Sequence, residues 1–244
     1  MPLAGKRIVV TRPRELSQRL AALIASEGGE PLLYPAIEIR APEDLRPALA
    51  LLERIEEFDL AVFVSPSAVH QALALLRGRA WPQRLRVAAI GGGTRRELEA
   101  RGFRAVIAPA APADSEALLG LPEMAQVAGA RVLILRGAGG RELLGETLAA
   151  RGAKVEIAEC YRRVRPQAPP PAGRLDAICV NSGEALENLA ALLGRERMQQ
   201  ATLFVPHPRV AARAAELRLP PPVVAGPGDA EMHAALVAYF GGAK

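Results

Sequence analysis

The chain has 244 residues, half of them apolar and 23% charged, which suits one large or two small folded domains and excludes a disordered class. An aromatic share of 4% leaves few stacking platforms for single-stranded nucleic acid, so no nucleic-acid partner is expected. The net charge of +5 fits either an anionic ligand or a compositional preference for arginine.

Cys160 and Cys179 form no CxxC pair, and no Cys/His cluster has metal-ligand spacing. Two reduced thiols and no metal are therefore expected. The start of the chain carries no apolar signal core, and no apolar run approaches a membrane span. The expectation is a cytoplasmic protein with no membrane partner.

In chain order, Lys6 to Thr11 reads as a strand and Arg12-Pro13-Arg14-Glu15 as a turn. Leu16, Leu20, Leu23 and Ile24 then share one helix face, stopped at Gly28-Gly29. Residues 31–41 form an overlong extended run, and a helix is predicted around Asp44 to Ile55. Leu60 to Val64 is a buried strand; Ser65 suits a helix N-cap and Pro66 the first helical position. Arg86 to Ile90 leads through Gly91-Gly92-Gly93-Thr94 into a helix ending at Gly102. Ala105 to Ala108 reads as a strand, and Ser115-Glu116 opens a helix or turn. Val132 to Leu135 is another strand, followed by the turn Arg136-Gly137-Ala138-Gly139-Gly140-Arg141 and a helix stopped at Gly152. A second overlong run, 154–165, contains Tyr161.

The pattern repeats. Set 124 residues apart, Gly5 meets Gly129, Arg7 meets Arg131, Arg12 meets Arg136 and Gly28 meets Gly152. Further along, Asp59 lies over Asp176 and Ser65 over Ser182, and the Gly91–Thr94 turn over the loop holding His207. Element order at nearly constant spacing indicates an ancient duplication. Alternating strands and helices with buried strands predict an α/β fold of two doubly wound parallel sheets. At roughly 3.3 Å per residue, each overlong run reaches more than about 30 Å, enough to leave one domain and enter the other as a two-stranded hinge.

Glycine turns between a strand and a helix let backbone N–H groups converge on an anion, so 91–94 and 136–141 are anion-site candidates. The first lacks both GxGxxG and GxxxxGK[ST], and a plain tight turn explains its glycines equally well. Arg136 and Arg141 add charge or are solvated surface groups. Ser65, Ser67 and Ser182 are first of all helix caps; SPSA is not a GxSxG nucleophile turn. His207 lines a cleft or is a surface histidine. Tyr161 is a packing residue or, facing a cleft, a proton donor.

The ordered combination VTRP, FVSPSAV, AIGGGT, SEALL, LILRGAGGREL and YRR resembles the uroporphyrinogen-III synthase family along essentially the whole chain. One departure is PHPR in the second-half loop, where some members carry a threonine turn. The resemblance implies two flavodoxin-like domains, 1–36 plus 168–244 and 40–165, joined by hinge strands near 31–41 and 154–165. It implies a lyase that cyclises hydroxymethylbilane, an octacarboxylate, to uroporphyrinogen III with inversion of ring D and loss of water, without cofactor or metal, acting as a monomer. Tyr161 is then the expected general acid. Arg12, Ser65, Ser67, Gly91, Gly92, Thr94, Arg136, Gly137, Arg141, Ser182 and His207 are the expected substrate-binding positions around an interdomain cleft. The rival readings are a non-catalytic binder of an anionic small molecule and a nucleotide-dependent transferase.

Overall fold

A computed structural model describes residues 1–110 and 114–242. From the start the chain runs β1 (Arg7–Val10), α1 (Gln18–Ser26), β2 (Glu30–Leu33), β3 (Glu38–Arg40), α2 (Arg46–Glu53) and β4 (Leu60–Phe63). There follow α3 (Pro66–Leu75), β5 (Arg86–Ala89), α4 (Gly92–Glu99), α5 (Ser115–Leu119) and α6 (Pro122–Ala125). Next come β6 (Arg131–Gly137), α7 (Leu143–Ala150), β7 (Lys154–Val164), β8 (Ala177–Cys179), α8 (Gly183–Leu193) and α9 (Arg195–Gln199). The last elements are β9 (Thr202–Val205), α10 (Pro208–Glu216), β10 (Val223–Val224) and α11 (Asp229–Gly241).

Two units emerge. The first takes Met1–Glu38 and Val164–Lys244, the second Ile39–Arg163. Each holds one five-stranded sheet: β10-β9-β8-β1-β2 in the first and β3-β7-β6-β4-β5 in the second. The described pairings within both sheets are parallel. Strand interiors such as Ile8, Val9, Val10, Leu60, Val62, Leu133 and Ile178 are buried, because helices cover both sheet faces.

The repeat reappears as topology. The order β2-β1-β8-β9-β10 matches β7-β6-β4-β5, where a single parallel bridge from Ala88 to Ile107 stands in for the last strand. The order in each unit reverses at one place, between β1 and β8 in the first unit and between β6 and β4 in the second. Open α/β sheets bind ligands beyond the carboxyl ends of strands at such switch points. The α/β class and the parallel sheets expected from the sequence are both present.

Some local expectations need correction. The run 31–41 is not one strand: β2 pairs with β1, and β3 belongs to the other sheet beside β7. Pro35 interrupts it, having no N–H for a ladder. The flanking amides of Tyr34 and Ala36 bond the carbonyls of Val10 and Thr11. Ala105 to Ala108 shrinks to that one bridge, since Ala105 takes φ 54° and Pro109 follows. By contrast, 154–164 is a single 11-residue strand. Sequence periodicity passed over α6, α9 and α11; Met232 and Leu236 of α11 are fully buried in the first unit's core.

Candidate functional site

The carboxyl edge of the second unit is assembled from three strand ends. Ser65 follows β4 and adopts extended backbone, and its Oγ accepts the Ala68 N–H at 3.0 Å, capping α3. Pro66 takes the first helical position, where its missing N–H costs nothing. The same Oγ lies 2.9 Å from the phenol oxygen of Tyr161.

How Tyr161 gets there depends on a register shift. Along β6 and β7, Arg136 pairs with Glu159 but Gly137 pairs with Tyr161, with the irregularity between Arg136 and Gly137. One extra residue in β7 re-aims the side chains beyond it, as bulges near functional edges do. Cys160 and Tyr161 consequently share one buried core cluster instead of alternating across the sheet. The tyrosine ring crosses β6 at Gly137: a β-carbon there would stand 2.7 Å from Cε2 and Cζ. Tyr161 is only 1% exposed, while Ser65 is half-buried. The tyrosine is therefore interior, and of the two hydroxyl-bearing residues Ser65 is the more accessible.

The turn after β6 behaves differently from the anion nest its glycines suggested. Arg136 is buried and folds back over the turn, donating from Nη1 to the carbonyls of Gly140 and Arg141. Its Nη2 reaches Glu142 at 2.8 Å and Glu159 at 3.2 Å. The turn thus closes on its own arginine through the carbonyls of Gly140 and Arg141. Arg141 is exposed and pairs with Glu116, whose carboxyl this hydrogen bond holds below the usual range. Arg12 likewise meets Asp229 at 2.7 Å, tying the end of β1 to the first turn of α11. All three arginines have structural partners, and Arg136 braces the turn through its own.

Beside this edge, Gly91 is the N-cap of α4, and Gly92 and Thr94 lie in its first turn. Thr94 and Ser67 are buried, so their side chains are not surface hydroxyls; a ligand meeting α3 or α4 would meet first-turn backbone N–H groups instead. In the first unit, Ser182 caps α8 through the Ala185 N–H at 3.1 Å, copying Ser65. His207 sits at the N-cap of α10, exposed and without a side-chain capping bond. Among the described residues the first unit has no counterpart of the hydroxyl pair: the repeat puts Ile37 where Tyr161 stands and Pro13 where Gly137 stands.

Two features were passed over by sequence reasoning. Sequence pattern places Gly137 in a candidate anion turn, although a glycine next to an aromatic on the neighbouring strand also signals a close approach. Asn181, just before Ser182, holds a buried Oδ1 without a hydrogen-bond partner among the described residues. Cys160 and Cys179 are both buried and free, and burial pushes their thiols up to about 12. No helix among the described residues is long and apolar enough to cross a membrane.

The family model Uroporphyrinogen-III synthase HemD matches residues 18–232. A uroporphyrinogen-III synthase of Escherichia coli strain K12 is 36% identical over 223 residues, covering 86% of this chain and 91% of that one. The uroporphyrinogen-III synthase of Salmonella typhimurium is 42% identical over 158 residues, 64% of each chain. Among solved structures, uroporphyrinogen-III synthetase from Helicobacter pylori superposes with a TM-score of 0.62 at 16% identity, covering 96% of this chain and 99% of that one. A mutant uroporphyrinogen III synthase from Thermus thermophilus gives 0.58 at 16% identity, over 96% and 97%. These two structures share the fold.

Proposed function

The chain belongs to the uroporphyrinogen-III synthase family, and we propose that it cyclises hydroxymethylbilane to uroporphyrinogen III, inverting ring D and releasing water. The observation that carries the reading beyond kinship is the hydroxyl pair Tyr161–Ser65 at the second unit's switch point. It supplies a proton source beside helix N-termini suited to carboxylates.

The chemistry asks for little more. Loss of the bilane's hydroxyl leaves an azafulvene cation that electron-rich pyrroles attack unaided. Ring D attacking through its substituted carbon gives a spiro intermediate, which fragments and closes again with the ring inverted. The protein must position the chain, protonate the departing hydroxyl and restrain eight carboxylates. The N-termini of α3, α4 and α8 and the His207 loop at the start of α10 are the groups we assign to that restraint, chiefly through backbone N–H. Proton donation falls to the Tyr161–Ser65 pair. The same reading has the enzyme acting in the cytoplasm as a monomer, with transient contact to the enzyme that supplies its substrate.

The experiment is direct. Purified protein is given hydroxymethylbilane and uroporphyrinogen I is resolved from III. Isomer III in excess is the expected result; isomer I alone, the spontaneous product, overturns the proposal. A Tyr161→Phe variant is expected to bind product normally and turn over more slowly, and unchanged turnover removes Tyr161 from the mechanism.

A further inference from the structure

We propose that Ser65 is the residue that hands the proton to the departing hydroxyl, and that Tyr161 acts behind it, orienting and resupplying the serine. This rests on the reaction proposed above and divides roles within that site. A tyrosine that is 1% exposed, with its ring over Gly137, is badly placed to touch a substrate itself. Ser65 is half-buried and stands on the carboxyl edge.

Hydrogen-bond capacity points the same way. A serine hydroxyl has one hydrogen and two acceptor lone pairs. One lone pair of Ser65 Oγ takes the Ala68 N–H. If Tyr161 donates to the other, across 2.9 Å, both acceptor positions are filled and the serine hydrogen is free to face a ligand. The opposite arrangement would spend the serine hydrogen on a buried phenol.

The duplication supplies a control within the chain. Ser182 caps α8 as Ser65 caps α3, yet it has Ile37 and Pro13 where Ser65 has Tyr161 and Gly137. The cap works without a tyrosine, so the tyrosine, the bulge that aims it and the glycine that admits it are additions with another purpose. Serine alone is a weaker acid than a phenol, and the pair couples an accessible donor to a stronger one.

The step balances. Ser65 Oγ–H protonates the bilane's hydroxyl oxygen; the C–O bond breaks with its electron pair on oxygen, releasing water and leaving the azafulvene cation. Tyr161 passes its proton to Ser65 Oγ and becomes phenolate. When the re-closed pyrrole loses its proton to regain aromaticity, that proton returns through Ser65 to Tyr161.

The test measures kcat, KM and isomer ratio with hydroxymethylbilane for Ser65→Ala, Ser65→Thr, Ser65→Asn, Tyr161→Phe and the Ser65→Ala/Tyr161→Phe pair. Ser65→Ala and Tyr161→Phe should each lower kcat by about a hundredfold with KM little changed. The double variant should be no slower than Ser65→Ala, and Thr should restore turnover. Asn retains capping ability, so Ser65→Asn should melt like the parent yet remain slow. Multiplying losses in the double variant, or full turnover in Ser65→Asn, overturns the relay. If the parent protein itself forms only isomer I, the proposed reaction fails rather than the relay.

Discussion

The ring of Tyr161 passes over Gly137 so closely that a β-carbon there would sit 2.7 Å from two ring carbons and 3.1 Å from the phenol oxygen. Gly137 is needed for space, since its own φ lies outside the left-handed region and the crowding atoms belong to one rigid aromatic side chain. The relationship links a missing side chain in one strand to the placement of a hydroxyl near the end of another.

Gly137→Ala should therefore displace the ring and break its bond to Ser65. Overpacking of this kind costs about 1–3 kcal/mol. The expected outcome is a lower melting temperature together with turnover reduced to the level of Tyr161→Phe. A variant with parental kcat would mean that the ring shifts without losing Ser65.

Arg136 and Arg141 should part company when truncated. Removing the buried Arg136 strands Glu142 and Glu159 and frees two turn carbonyls. Both partner carboxylates keep solvent contact, so Arg136→Met should cost about 2 kcal/mol, below the range for a fully buried pair. Arg141→Ala loses one exposed pair and should leave the unfolding midpoint essentially unchanged. Denaturant unfolding of both variants checks this. A large KM increase for Arg136→Met at unchanged stability would restore it as a substrate ligand.

Ser182→Ala should lose about 1 kcal/mol, the usual worth of an N-cap, and Ser182→Asn should regain it. If the first turn of α8 binds a carboxylate through backbone N–H, Ser182→Asn should also keep KM within a few-fold of the parent. Thermal melts and steady-state kinetics on the same preparations separate the two effects.

The buried thiols set an alkaline limit. Burial raises Cys160 and Cys179 to about 12, with Asp229 adding to the effect at Cys179, whereas unfolded thiols titrate near about 8.5. Because the folded values are the higher, their contribution is complete below the unfolded value and is lost as pH rises toward the folded one. The melting temperature should fall from about pH 9 upward, more steeply than in a Cys160→Ala/Cys179→Ala variant. A thiol reagent at neutral pH should label neither cysteine until the fold opens.

Much of this protein follows from its sequence alone. The alternation of apolar runs and amphipathic stretches specified parallel sheets covered on both faces. The Ser65-Pro66 and Ser182-Gly183 steps specified helix starts, because a cap is a contact between residues three apart. The duplication was legible as Gly5 over Gly129 and Ser65 over Ser182, and it reappears as the matching orders β2-β1-β8-β9 and β7-β6-β4-β5. What the tertiary structure decided are the relations between strands. A one-residue shift between β6 and β7 cannot be read from either strand, yet it determines whether Cys160 or Tyr161 faces Gly137. The partners of Arg136 lie both within its own turn and across on β7, so a charge that looked available to a substrate is consumed at home. Local pattern encodes which elements form; register and burial, which sum contacts from distant parts of the chain, determine which hydroxyl is left to do chemistry.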